Sequence, residues 1–76
     1  MNNKRRKEIA KIVEQLELLN ESLETLHSDE SDALDNIPEG LEGSDMYNNI
    51  ESAVENLQEA MDSMTDAIDY LNCAIE

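Results

Sequence analysis

An all-α antiparallel helical hairpin, coiled-coil-like and dimerising into a four-helix bundle, is the fold this chain predicts, on three observations. Tyr47, Ile50, Val54, Leu57, Met61, Met64, Ile68, Leu71 and Ile75 are spaced alternately three and four residues apart. Only a long helix gathers such a series onto one stripe, and the stripe suits packing against another helix. A second series, Ile9, Ile12, Leu16, Leu19, Leu23 and Leu26, repeats the same alternation in the first half. Between the two lie the only proline, Pro38, and the only glycines, Gly40 and Gly43. One domain is expected over residues 1–76, with a first helix at about 3–36, a turn at about 37–44 and a second helix at about 45–75.

Each element has local reasons. Asn2 or Asn3 can cap the first helix. The apolar pattern weakens over His27-Ser28-Asp29-Glu30-Ser31-Asp32 and resumes at Ala33, Leu34 and Ile37. Neither Gly nor Pro interrupts that stretch, so the helix is expected to continue through it. Pro38 removes a donor and disfavours helix at Ile37. Asn36 and Glu39 have the spacing of a capping box around one short turn. Ser44 caps the second helix, and Asp45 suits its positive end.

Centring the turn on Gly40 pairs Ile9 with Leu71, Ile12 with Ile68, Leu16 with Met64, Leu19 with Met61, Leu23 with Leu57, Leu26 with Val54 and Ala33 with Tyr47. Glu30 opposite Ile50 breaks the series. The same register brings Lys4 near Glu76 and Lys11 near Asp69. Such exposed pairs contribute at most about 1 kcal/mol each.

Composition limits the function. The formal net charge is −14, and all five basic residues fall within the first eleven positions. From Ile12 onward there are eighteen acidic residues and no Lys or Arg. A body of that sign repels nucleic acid backbones and anionic membranes and favours basic partners. Cys73 is the only cysteine, so no disulfide forms within one chain, and a reducing cytoplasmic setting fits best. No apolar stretch follows the basic N-terminus to act as a signal peptide or a membrane span. With no Trp or Phe, a chain this small seldom builds a sufficient core alone, which points to self-association.

Two carboxylate ridges are the candidate partner-binding residues. Glu55, Glu59, Asp62, Asp66 and Asp69 follow one another along the outer face of the second helix, and Glu14, Glu17, Glu21 and Glu24 along the first. Neighbours at this spacing stand roughly 5–6 Å apart. No cation is interleaved, so each ridge either imitates a phosphate backbone before a basic groove or is simply a solvated face. Ala53, Ala60, Ala67 and Ala74 recur every seven residues beside the second seam and are the expected dimer interface. Uncharged Gln15 and Ser22 are expected across from them on the first helix.

Other constellations fall short. Glu24-x-x-His27 has the spacing of one half of a bundle di-iron site. No buried Glu of the second helix faces it, so His27 reads as a rim residue and no metal is expected. Asp29, Ser31 and Asp32 lack the glycine and terminal Glu of a calcium loop. His27 and Cys73 are too far apart for a nucleophile–base pair. No catalytic residue, cofactor or enzymatic activity is therefore expected.

The segment Ala33-Leu34-Asp35-Asn36-Ile37-Pro38-Glu39-Gly40-Leu41, with Asn3-Lys4-Arg5-Arg6 before it and the alanine heptads after it, resembles small acidic helical proteins of prophages and mobile elements of Gram-positive bacteria. That resemblance spans nearly the whole chain and carries no catalytic residue across. It implies a phage or mobile-element setting, where small acidic proteins inhibit host defence proteins by occupying their nucleic-acid sites. The expected function is thus a binding protein for a basic protein surface, with a structural or assembly module as the alternative.

Overall fold

The computed structural model describes all 76 residues. Two long helices, α1 (Asn3–Asp35) and α2 (Asp45–Ala74), are joined by one 3₁₀ turn at Glu39–Leu41 and pack side by side as a hairpin. The Asn2 side-chain oxygen accepts from the Arg5 N–H at 2.8 Å, meeting a donor that the first turn of α1 leaves free. α1 then runs unbroken through the polar stretch at residues 28–32. It closes with the Asn36 N–H on the Asp32 carbonyl at 3.0 Å, just before Pro38 forbids a further turn.

The connection is short and held by backbone bonds. The Leu41 N–H reaches the Pro38 carbonyl at 2.8 Å, and the Ser44 N–H reaches the Leu41 carbonyl at 3.1 Å. The expected Asn36–Glu39 capping box does not form; Pro38 stands at the head of the 3₁₀ turn with no side-chain cap. Gly43 lies at φ +83°, a backbone region that side chains with a Cβ disfavour, so this glycine is required by the turn. Ser44 Oγ accepts from the Tyr47 N–H at 3.2 Å and starts α2.

The rod measures 59 × 15 × 13 Å, with a radius of gyration of 17.3 Å. A compact domain of this length would have roughly 11 Å. Val13 alone is buried. On α2 the nine expected seam residues, Tyr47 to Ile75, are all half-buried against α1. They occupy positions a and d of the heptad.

On α1 the seam is not the expected one. Ile9, Leu16 and Leu23 face α2, but they alternate with Val13, Asn20, His27 and Leu34 rather than with Ile12, Leu19 and Leu26. These last three are 46, 56 and 53 % exposed. α1 is therefore turned by roughly 50°, half of one residue's rotation, from the orientation its most apolar pattern suggests. The cause lies in the width of its stripe: Ile12, Leu19, Leu26 and Ala33 fill position g, Ile9, Leu16 and Leu23 position d, and only d is shared by both candidate seams.

Asn20 Nδ2 donates to Thr65 Oγ1 at 3.4 Å, a long bond, but one that joins the helices across the seam. With the two seams it sets a register in which Ile9 meets Ile75, Val13 meets Leu71, Leu16 meets Ile68, Asn20 meets Met64 and Leu23 meets Met61. His27 then meets Leu57, Glu30 meets Val54 and Leu34 meets Ile50. The turn is centred near Glu42 rather than Gly40, and α2 is displaced along α1 by about four residues, roughly 6 Å, from the expected pairing. Lys11 consequently lies level with Cys73 rather than Asp69, and Glu76 level with Glu8 rather than Lys4.

Candidate functional site: two unlike flanks

Beside the seam the hairpin has two long flanks, and they differ in charge. One is built from positions e and b. Glu14, Glu17, Glu21 and Glu24 occupy it on α1, and all four are exposed. Glu55, Glu59, Asp62, Asp66 and Asp69 continue it around the outside of α2, also all exposed. From Glu55 to Asp69 the α2 ridge covers roughly 21 Å of helix. Its five charges give about one per 5 Å of axis, comparable to the 3.4 Å of one DNA strand. The Gln58 side chain donates to Asp62 Oδ1 at 3.0 Å. The basic residues all lie in the first eleven positions, at one end of the rod.

The opposite flank, positions g and c, is uncharged over its central turns. α2 contributes Ala60, Ala67 and Ala74, all exposed, and Ala53, half-buried. Outside them stand Asn49, Asn56, Ser63 and Tyr70, the last 77 % exposed. None of the carboxylates of α2 lies on this side. The rotation of α1 brings Ile12, Leu19 and Leu26 here, facing the same way as the alanines, with Gln15 and Ser22 displaced to the rim. The apolar spacing predicts those three large residues in the seam instead. Spacing does not separate the two arrangements: Asn20 and His27 make position a the more polar column of α1, which favours the d/g seam rather than the a/d seam that forms.

For a lone hairpin this rotation is unfavourable. Ile12, Leu19 and Leu26 are about half-exposed, so seating them fully against α2 would gain about 1 kcal/mol each. Asn20 instead enters the seam, where its Oδ1 is buried without a donor. An unmet buried acceptor costs about 1–3 kcal/mol.

Tyr47 closes the seam at the turn end. Burial of its ring pushes the phenol above its ordinary pKa of 10.0, and the carboxylates of Glu51, Glu42 and Asp35 add to the rise. His27 is half-buried at position a, level with Leu57, rather than on the rim, and Cys73 lies exposed near the far end. The surface has no pocket, and no group of His, Cys, Asp and Glu is placed to hold a metal ion. No helix is long and apolar enough to cross a membrane. Comparisons with protein-family models, curated proteins and solved structures find no match to this chain.

Proposed function

We propose that this chain is a non-enzymatic acidic binding protein whose e/b flank docks on a basic protein surface. The observation that carries the reading is the continuity of exposed, uncompensated carboxylates along both helices on one side, at a charge spacing near that of a nucleic acid strand. A solvated surface chosen only for solubility would gain from interleaved lysines, each i,i+4 pair contributing about 0.2–0.5 kcal/mol, and the ridges contain none. The likeness of the turn segment and alanine heptads to prophage proteins supports a narrower form of this reading. In that form the chain is a phage-encoded inhibitor, acting in the bacterial cytoplasm on a host nucleic-acid-binding or defence protein. The alternative, an assembly module whose acidic face only keeps it soluble, is favoured by the uncharged flank, which suits helix packing.

The test replaces Glu55, Glu59, Asp62, Asp66 and Asp69 by Gln or Asn and measures both helix stability and capture of partner from bacterial lysate at low and high salt. The docking reading expects equal or greater stability and loss of a salt-sensitive basic partner, for which DNA or RNA competes with the unmodified chain. Full-strength binding by the neutralised variant would overturn it for this ridge, and Glu14, Glu17, Glu21 and Glu24 would be tested next in the same way.

A further inference from the structure

We infer that the g/c flank is the interface with a second copy of this chain, joined about a twofold axis parallel to the rod so that α1 of each copy lies on α2 of the other. The inference is independent of what the acidic ridges bind.

Both helices carry a stripe of three columns, a, d and g. A two-stranded coiled coil needs only a and d, whereas a helix with two helical neighbours in a bundle needs the wider stripe. On α1 the polar seam residues Arg6, Asn20 and His27 sit in column a, next to the polar flank, and only Glu30, toward the turn, sits in column d. The middle of its apolar stripe is therefore d, not the line between a and d. On α2 the middle is likewise d. Two hairpins joined through g would turn all four d columns inward as one core over Ile9 to Leu23 of α1, with Glu30 at its turn end. Column a would be left at the outer edge, where Asn20 already bonds to Thr65.

The flank is complementary to itself. α1 presents large side chains on it and α2 presents alanines. The twofold axis along the rod keeps heights unchanged, so the register of one hairpin sets the contacts between two. Leu19 of one copy then lies at a height between Ala60 and Ala67 of the other. Ile12 lies between Ala67 and Ala74, and Leu26 between Ala53 and Ala60. Each large residue enters a gap between two small ones, with the facing helices antiparallel.

Area and charge agree. The hairpin exposes 5632 Å². A compact protein of 8.6 kDa exposes roughly 4,700 Å². The excess of about 900 Å² per chain is close to the 800 Å² each partner buries in a standard interface. Two bodies of charge −14 approach best across the side with fewest carboxylates, and this flank has only Glu8 and Asp29 of α1, toward its two ends.

Sedimentation equilibrium of the full chain, over a wide range of concentration and salt, tests the inference. The expected result is a dimer whose affinity rises with added salt, because screening relieves repulsion between like-charged copies. Docking of the ridges on a basic partner has the opposite salt dependence, so the two readings fail separately. Leu19→Glu is compared with Leu18→Glu, which makes the same change on the neighbouring residue, outside the flank. The two leucines are 56 and 59 % exposed in the hairpin, so a lone hairpin treats them alike. The dimer predicts that Leu19→Glu weakens association about 30-fold or more, while Leu18→Glu leaves it within a few-fold. Circular dichroism at matched concentration covers the case in which Leu19→Glu unfolds: loss of helix in that variant alone, restored by raising the concentration, also supports the interface. A fully helical monomer of the unmodified chain at every concentration would overturn it, as would equal behaviour of the two variants.

Discussion

α2 lays nine apolar side chains along its inner stripe without interruption, whereas α1 seats Arg6, Asn20, His27 and Glu30 among its own. The helices have nearly the same length and heptad, yet one offers a single well-defined seam and the other a choice of two. The stripe on α2 supplies most of the apolar seam, and α1 is held against it with its polar edge turned in and three large residues turned out. Heptad spacing fixes which residues share a column. It does not fix which pair of columns meets the partner.

The layer that joins His27 to Leu57 tests this asymmetry most directly, because the two sides should respond with opposite sign. Leu57→Ala removes a large side chain from the continuous seam and should cost about 2 kcal/mol, the low end for buried leucines because Leu57 is only half-buried. His27→Leu places an apolar side chain opposite it and should raise stability by about 1 kcal/mol. Urea unfolding monitored by circular dichroism reads both. A loss of stability in His27→Leu would show that the imidazole holds a specific bond and that column a of α1 is not merely a tolerant edge.

That asymmetry also explains what could be read from residues alone. The hairpin, the continuation of α1 through Ser28–Asp32, the turn at Pro38 and the Ser44 cap follow from local rules, since each depends on near neighbours. The α2 seam was legible because Glu and Asp occupy its positions b, e and f and leave the inner columns unmistakable. The α1 seam was misread because Ile12, Leu19 and Leu26 make columns g and d more apolar than a and d. Register went with it, since layers built on the wrong columns shifted α2 by four residues. The exposure of both carboxylate ridges followed from heptad position, but the concentration of large residues opposite the alanines depended on a rotation that spacing does not encode.

Asn20 is the polar residue that reaches across the seam. An Asn at position a specifies alignment at a cost in stability, and here its Oδ1 has no donor. Asn20→Leu should therefore stabilise the fold by roughly 1–2 kcal/mol while weakening the preference for one register. Thr65→Val tests the partner group; in the Asn20→Leu background it should have less effect than in the unmodified chain, since the interhelical bond is already gone. Additive effects in that double-mutant cycle would show that the long Asn20–Thr65 bond contributes nothing.

The smallest effect concerns the turn end, where the α2 stripe begins with an aromatic residue. The Tyr47 phenol is raised above 10.0 by burial first, then by the charges of Glu51, Glu42 and Asp35. A phenol whose folded pKa exceeds its unfolded value holds its proton more tightly in the folded chain. Its contribution is thus fully present below about pH 10 and is lost as pH rises through the folded value. At neutral pH it gives no slope. In a Tyr70→Phe chain, where Tyr47 is the only phenol, phenolate absorbance should titrate above 10 in the folded state and return to about 10 in urea. Glu51→Gln should lower the folded value, since it removes the nearest negative charge, yet leave it above 10 because burial remains. A folded-state titration at or below 10 would mean that the ring is hydrated and that the seam begins at Ile50 rather than Tyr47.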